Sequence, residues 1–304
     1  MTQPVRHVLF GPGTLDDSVG DDLLDLFDDA TITDQDFEIE IRRGDWGWCV
    51  AALAPSSDEK VRTTAARLRA LAGEHGCDHA VVTGRLATRP PRLVVTDVDS
   101  TLTTTEAIDL LAEAAGMGGK VAAITERAMR GELDFTASLT ERVATLEGLP
   151  STVLDEVFGS VRLSEGAREL VQQVHALGAL FGVVSGGFTA LVDPLVDDLA
   201  IDLSAANVLE VVDGRLTGRT RGPVVDRAFK ADQLRAWASE RDIPLDLTVA
   251  VGDGANDLDL LDAAGLGIAY CAKPLTAERA DASISFPRLD AVMALVVDPM
   301  VHQD

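Results

Sequence analysis

The stretch Leu93–Glu106, LVVTDVDSTLTTTE, decides how the rest of the chain is read. Four apolar or β-branched residues, Leu93 to Thr96, run straight into Asp97 and Asp99, with Ser100 and Thr101 behind them. A short apolar run bounded by polar turn residues predicts a buried strand. In open α/β sheets, ligands bind beyond the carboxyl ends of such strands. Two carboxylates at that edge are costly unless compensated, and a divalent cation is the usual compensation. The stretch therefore predicts a nucleophile and a general acid/base sharing a magnesium site. A strand-end turn with solvated aspartates is the alternative that Asp-x-Asp alone leaves open.

Three further stretches fall at predicted strand ends or helix starts. Ser185-Gly186-Gly187 follows the apolar run Leu180–Val184. Glycines there let backbone N–H groups approach an anion, and the serine hydroxyl adds a donor; an ordinary strand-to-helix turn is the alternative. Lys230 opens a predicted helix and could neutralise a phosphate as a point charge. Most lone lysines are surface residues, but the chain has only four (Lys60, Lys120, Lys230, Lys273), which makes a well-placed one informative. Gly252-Asp253-Gly254-Ala255-Asn256-Asp257 follows the apolar run Leu247–Val251. Its two aspartates, four apart with glycines between, offer oxygen ligands in a tight loop of the kind Mg²⁺ prefers.

The bulk numbers narrow the function class. With 46% hydrophobic residues over 304 positions, a sizeable core is available and whole-chain disorder is excluded. A formal net charge of −24 argues against a nucleic-acid or anionic-membrane partner. Cys49, Cys77 and Cys271 are odd in number and widely spaced, so neither a disulfide framework nor a zinc site is expected. MTQPVRHVLF is not a secretory signal, and no stretch reaches the roughly 18 uninterrupted apolar residues of a membrane span. A cytoplasmic location is the expectation.

Around these motifs the pattern predicts two domains. Residues 1–86 read βαββαβ: strands Val5–Phe10, Phe37–Ile41, Trp46–Leu53 and Asp78–Thr83, with helices Asp16–Asp29 and Ser57–His75. That order is ferredoxin-like, the plan of small amino-acid-sensing domains of the ACT type, though no residue there forms a readable ligand site. A linker at 87–91 ends in Pro90-Pro91. Residues 92–304 alternate strands and helices, which predicts a doubly wound, Rossmann-like parallel sheet. An all-helical insertion at about 105–162 is of the right length for a small cap over the strand ends. Asp213-Gly214 predicts a type I′ hairpin between two short strands within 206–220.

Taken together in chain order, the motifs resemble the haloacid dehalogenase-like phosphatase superfamily and, within it, the phosphoserine phosphatase family. The resemblance covers about residues 92–296 and rests on Asp97-Val98-Asp99-Ser100-Thr101, Ser185-Gly186-Gly187-Phe188, Lys230, the 252–257 loop and Cys271-Ala272-Lys273-Pro274. Val98 stands where the family often has methionine or phenylalanine. The resemblance implies hydrolysis of L-phosphoserine to L-serine and phosphate through an aspartyl-phosphate, the last step of serine biosynthesis. It implies Asp97 as nucleophile and Asp99 as general acid/base, the latter needing a proton near neutral pH. Mg²⁺ would sit on Asp97, the Asp99 backbone carbonyl and Asp253, with Asp257 orienting that shell. Ser185, Gly186, Gly187, Lys230 and Asn256 would hold the phosphoryl oxygens. In the cap, Glu106 would pair with an α-ammonium, Arg142 would take an α-carboxylate, and Met129 and Phe135 would close the pocket. Surface ion pairing and core packing are the alternatives for these four. The implied partner is a small phosphomonoester; a homodimer and an amino-acid effector at the N-terminal domain stay open. Two other readings compete: a phosphatase for another small phosphate ester, and a non-catalytic amino-acid sensor.

Overall fold

Alternating apolar and polar positions build the first of two sheets. In the computed structural model, which describes residues 3–28, 38–56 and 58–297, strands β1 (Gln3–Gly11), β2 (Glu38–Gly44), β3 (Gly47–Ser56) and β4 (Asp78–Thr83) pair antiparallel in the order β2-β3-β1-β4. Helices Asp17–Asp28 and Asp58–His75 complete the βαββαβ connectivity. Asp29, Phe37 and Ser57, the sequence-predicted ends of three elements, lie outside the described residues.

Because side chains alternate across a strand, this sheet has two apolar faces. Leu9 and Val50 pack under the helices with Val19, Leu23 and Leu68. Val8, Phe10 and Cys49 point the other way and join the main core of the rest of the chain. The contact is also polar. Arg42 donates to the Ala294 carbonyl at 2.8 Å and Arg6 to that of Leu295 at 3.5 Å. Asp78 accepts from the Ser285 N–H at 2.7 Å.

The second sheet contains β5 (Leu93–Thr96), β6 (Leu180–Phe188), β7 (Leu203–Val212), β8 (Arg215–Arg221), β9 (Thr248–Gly252), β10 (Leu266–Tyr270) and β11 (Ala282–Ile284). Their order is β11-β10-β9-β5-β6-β7-β8, parallel throughout except for β8, which runs antiparallel to β7. All four residues of β5 are buried, as expected of a central strand covered on both faces. The β7–β8 turn has φ of 49° at Asp213 and 72° at Gly214, the positive values that a type I′ turn requires. Between β5 and β6 the helices Ala107–Ala114, Gly118–Met129, Phe135–Ala144 and Val153–Phe158 form the insertion. They share a core of their own, in which Leu111, Val121, Leu139 and Leu146 meet Phe188 and Leu191. No helix among the described residues is long and apolar enough to cross a membrane.

The fold departs from the sequence reading at three places. Strand β6 does not stop at Val184: it continues to Phe188, with a register shift against β7 between Ser185 and Phe188. Two glycines made this look like a loop, whereas they form an irregularity inside the strand. The following helix begins at once, at Thr189, and carries Pro194 inside it. Pro194 has no N–H for the Ala190 carbonyl, but Leu191, Val192, Leu195 and Leu199 bury one continuous stripe that holds the helix together. Strand β11 and helix Pro274–Arg279 went unread because they are only three and six residues long.

Candidate active site

Strand β5 has β6 on one side and β9 on the other, so the chain leaves the sheet centre in opposite directions. The carboxyl end of β5 is thus the topological switch point, where such sheets bind ligands. Asp97 is the first residue past it. It is buried, and its Oδ1 accepts from the Val98 N–H at 2.7 Å. The chain then turns sharply. Ser100 takes a left-handed φ of 59°, and the Thr103 N–H and Oγ1 both donate to the Val98 carbonyl, at 2.9 and 3.1 Å. The turn folds Asp99 back toward the insertion, where its Oδ1 accepts from the Ala107 N–H at 3.0 Å.

At the end of β9, Asp257 is fully buried. Both its oxygens are engaged, Oδ1 by Lys230 Nζ at 2.6 Å and Oδ2 by the Gly254 N–H at 3.0 Å. Gly252 is required there: a Cβ would lie 2.6 Å from that of Asp257. Lys230 is itself buried and reaches Asp97 Oδ1 at 2.9 Å, so one ammonium bridges two carboxylates. Asp253 completes the group. Oxygens of Asp97, Asp253 and Asp257 lie within 4.8 Å of one another, and Thr101 Oγ1 donates to Asp253 at 3.4 Å.

Three clustered carboxylates against one ammonium leave an excess of negative charge in a desolvated place. Burial pushes the Asp97 carboxyl well up, Asp257 adds to this, and Lys230 opposes it. Burial, then repulsion from Asp257 and Glu106, raises Asp253 to about 6. Burial and Glu106 raise Asp99 to about 7. Burial alone would pull the Lys230 ammonium down, but Asp257 and Asp97 outweigh it and raise it. A hard dication with oxygen ligands fits this donor set, because it supplies the missing positive charge.

The raised carboxyls make a stability prediction. A carboxyl that holds its proton more tightly folded than unfolded stabilises the fold at low pH, and that contribution is lost as pH rises through the folded value. In chelator, the melting temperature is expected to fall between about pH 5 and pH 8 as Asp253 and Asp99 ionise through about 6 and 7. Mg²⁺ is expected to raise it more at pH 8 than at pH 5. An Mg²⁺ shift that is equal at both pH values would contradict the charge argument.

A cavity of about 430 Å³ lies between these strand ends and the insertion. Asp97, Asp99, Glu106, Phe135, Arg142, Gly186, Gly187, Asp253 and Asn256 all line it, together with Lys273. Ser185, Lys230 and Asp257 do not; each is buried behind this lining. The side chain of Met129 lies outside what the structure describes. Glu106 is exposed and accepts from Ser100 Oγ at 2.9 Å. Arg142 is half-buried and donates from Nε to the Ser138 carbonyl at 3.3 Å. Burial lowers its guanidinium, opposed by Glu106, Asp109 and Asp99. Of the three glycines of β6, Gly187 has no room for a side chain and Gly186 has little. A Cβ on Gly187 would lie 2.7 Å from Asp99 Oδ2, and one on Gly186 would lie 3.1 Å from Phe135 Cζ.

A family profile described as haloacid dehalogenase-like hydrolase matches residues 94–262, more than half of the chain. The chain belongs to this family. Within it, several relatives of this chain are phosphoserine phosphatases. It is 55% identical over 229 residues to the phosphoserine phosphatase SerB2 of Mycobacterium tuberculosis, a match covering 75% of this chain and 56% of that one. It is 50% identical over 204 residues to a phosphoserine phosphatase of Streptococcus thermophilus, covering 67% of this chain and 95% of the relative. The crystal structure of a probable phosphoserine phosphatase from Vibrio cholerae superposes with a TM-score of 0.75 at 34% identity, covering 95% of this chain and 85% of that one. The chain thus spans little more than half the length of the M. tuberculosis protein.

One polar residue at the hydrolase's site escaped the sequence reading. Asn207 is almost fully buried on β7, beside Gly186 and Gly187 of β6. An asparagine inside a run otherwise fit for a strand was the available signal, since asparagine is depleted in strands.

Proposed function

We propose that the chain hydrolyses L-phosphoserine to L-serine and phosphate through an aspartyl-phosphate on Asp97, the last step of serine biosynthesis, in the cytoplasm. The observation that carries this reading is the two-ended cavity. Its strand end holds Asp97, Asp99, Asp253, Gly186 and Gly187, and its insertion end holds Glu106 and Arg142. One end suits a phosphate and the other a zwitterion.

Asp97 attacks phosphorus and the ester P–O bond breaks. The Asp99 carboxyl, whose affinity for a proton is raised to about 7, gives that proton to the leaving serine oxygen. Asp99, now a carboxylate, then takes a proton from water as that water attacks phosphorus, and Asp97 departs as a carboxylate. Ser185, the Gly186 N–H, Lys230 and Asn256 supply polar contacts to the phosphoryl oxygens; Lys230 also holds Asp97 at 2.9 Å, and Gly187, whose N–H is taken by Ser185 Oγ, supplies room rather than a donor. Mg²⁺ held by Asp97, the Asp99 carbonyl and Asp253, with Asp257 behind, would neutralise charge on the phosphoryl group when bound. Glu106 takes the α-ammonium and Arg142 the α-carboxylate, while Phe135, with Met129, closes the pocket.

A phosphate-release screen tests the reading, run with Mg²⁺ and with chelator. Phosphate esters lacking the amino or the carboxylate group are expected to turn over at least about tenfold less efficiently than phosphoserine. Equal efficiency would remove the roles given to Glu106 and Arg142.

The same reading makes residues 1–86 an ACT-like domain, joined by 87–91 to a phosphatase domain at 92–304 whose cap is 105–162. The strand order β2-β3-β1-β4 supports it. An amino-acid effector at the N-terminal domain and a homodimer belong to this proposal. Added L-serine in the screen tests the first, and sedimentation tests the second.

A further inference from the structure

The register shift in β6 leaves a gap that one side chain fills. Ser185 pairs with Ala206 across the ladder to β7, and the next paired residue, Phe188, lies opposite Asn207. Gly186 and Gly187 are therefore looped out of the ladder, and the polar groups of the peptide between them need other partners. Both find one. The Gly186 carbonyl accepts from Asn207 Nδ2 at 2.8 Å, and the Gly187 N–H donates to Ser185 Oγ at 2.8 Å. These are the two ends of a single peptide unit, so it is clamped from both sides.

The Asn207 amide is itself fixed. Its Oδ1 accepts from the Val225 N–H at 2.9 Å. A carbonyl can only accept and an N–H can only donate, so the two contacts together allow one orientation of the amide. Val225 lies just before Asp226, whose Oδ1 caps the Arg227–Glu240 helix by accepting from the Phe229 N–H at 2.9 Å. That helix carries Lys230. One buried side chain thus links the β6 turn to the start of the lysine helix.

The consequence falls on Ser185. Its Oγ accepts from Gly187, which turns the hydroxyl hydrogen elsewhere. Ser185 is fully buried beside Gly186 and Gly187, which line the cavity, and in the phosphatase reading its hydroxyl is one of the phosphoryl donors. Asn207, the Gly186–Gly187 peptide and Ser185 form one chain of hydrogen bonds, each polarising the next. A Gly-Gly peptide can rotate cheaply because neither residue carries a Cβ. The turn needs glycines to make room for Asp99 and Phe135, so its orientation has to be set from outside.

We infer that Asn207 is a positioning residue that locks the Gly186–Gly187 peptide and thereby aims the Ser185 hydroxyl at the phosphoryl oxygens, an inference that rests on the phosphatase reading of this site. It touches no reacting atom. The test uses the full-length, Mg²⁺-loaded protein with Asn207→Ala and Asn207→Asp, each alone and combined with Ser185→Ala. Asn207→Asp is nearly isosteric and keeps the acceptor for Val225, so it serves if the alanine variant does not fold. Two readouts are taken: kcat and KM for phosphoserine, and the affinity for inorganic phosphate by calorimetry. In a variant that melts cooperatively, phosphate affinity and kcat/KM are expected to drop at least about tenfold. In the Ser185→Ala background the same change is expected to cost less than about twofold, because the path through the hydroxyl is already cut. Phosphate affinity within twofold of wild type in a folded variant would overturn the inference. So would an equal loss in both backgrounds, which a merely structural role predicts. Wild type that binds phosphate but fails to turn over phosphoserine would remove the substrate reading and leave the calorimetric test standing.

Discussion

Asp97→Asn is expected to lower kcat by at least about 10⁴-fold while leaving the folded structure in place, because a nucleophile acts as a unit with its partners and its loss is not shared out. The structural half of this expectation comes from the contacts. An asparagine carbonyl can still accept from the Val98 N–H, which now bonds to Asp97 at 2.7 Å. Lys230 keeps Asp257 at 2.6 Å, so the ammonium is not stranded. The substitution also removes a carboxylate that burial and Asp257 already push toward protonation. The melting temperature in chelator is therefore expected to stay level or rise. Circular dichroism melts and single-turnover phosphate release check both halves. Activity within tenfold of wild type would take the nucleophile role from Asp97.

Lys230→Met is expected to be the most destabilising single change at the site. The side chain is 1% exposed and sits between Asp97 and Asp257, at 4% and 0%. Removing the ammonium strands two carboxylates in the interior, and breaking a buried ion pair on one side costs about 3–5 kcal/mol. Arginine is no substitute, since its planar fork needs more room than a compact ammonium. Adding Asp257→Asn is expected to return much of the lost stability, because the stranded charge goes with its partner. Urea denaturation in chelator provides the numbers. A loss under about 1 kcal/mol, within the range of an exposed pair, would show that Lys230 is not the counter-charge its geometry suggests.

Much of this site was legible because its parts are punctuation. Aspartates and glycines directly after apolar runs mark strand ends, and the Asp97, Gly186 and Asp253 stretches could be read one by one. Lys230 was legible only because lysine is rare in this chain. What could not be read depends on pairing. That β6 continues through its glycines is decided by β7, some twenty residues away. The helix containing Pro194 owes its first turn to the apolar stripe it buries against the core. Asn207 finds its partners 21 and 18 residues away, in Gly186 and Val225, and no local pattern announces them. The position of Ser185 and Lys230 behind the cavity lining is likewise a three-dimensional fact. Sequence spacing placed them at the site but could not say that both side chains are buried there.

The way the first sheet is seated bears on how the protein comes apart. Val8, Phe10 and Cys49 share one continuous apolar core with residues packed around the second sheet, among them Phe286 and Leu295. Arg6 and Arg42 fasten the same face through main-chain carbonyls. Separating the two sheets would open that core on both sides and take the Leu295 and Ala294 carbonyls from Arg6 and Arg42, which would keep only Glu40 nearby. The two sheets of the 32.2 kDa chain are therefore expected to lose stability together. A lesion at Val8, Phe10 or Cys49 is therefore expected to lower the stability of β5 as well, because Val94 belongs to the same core.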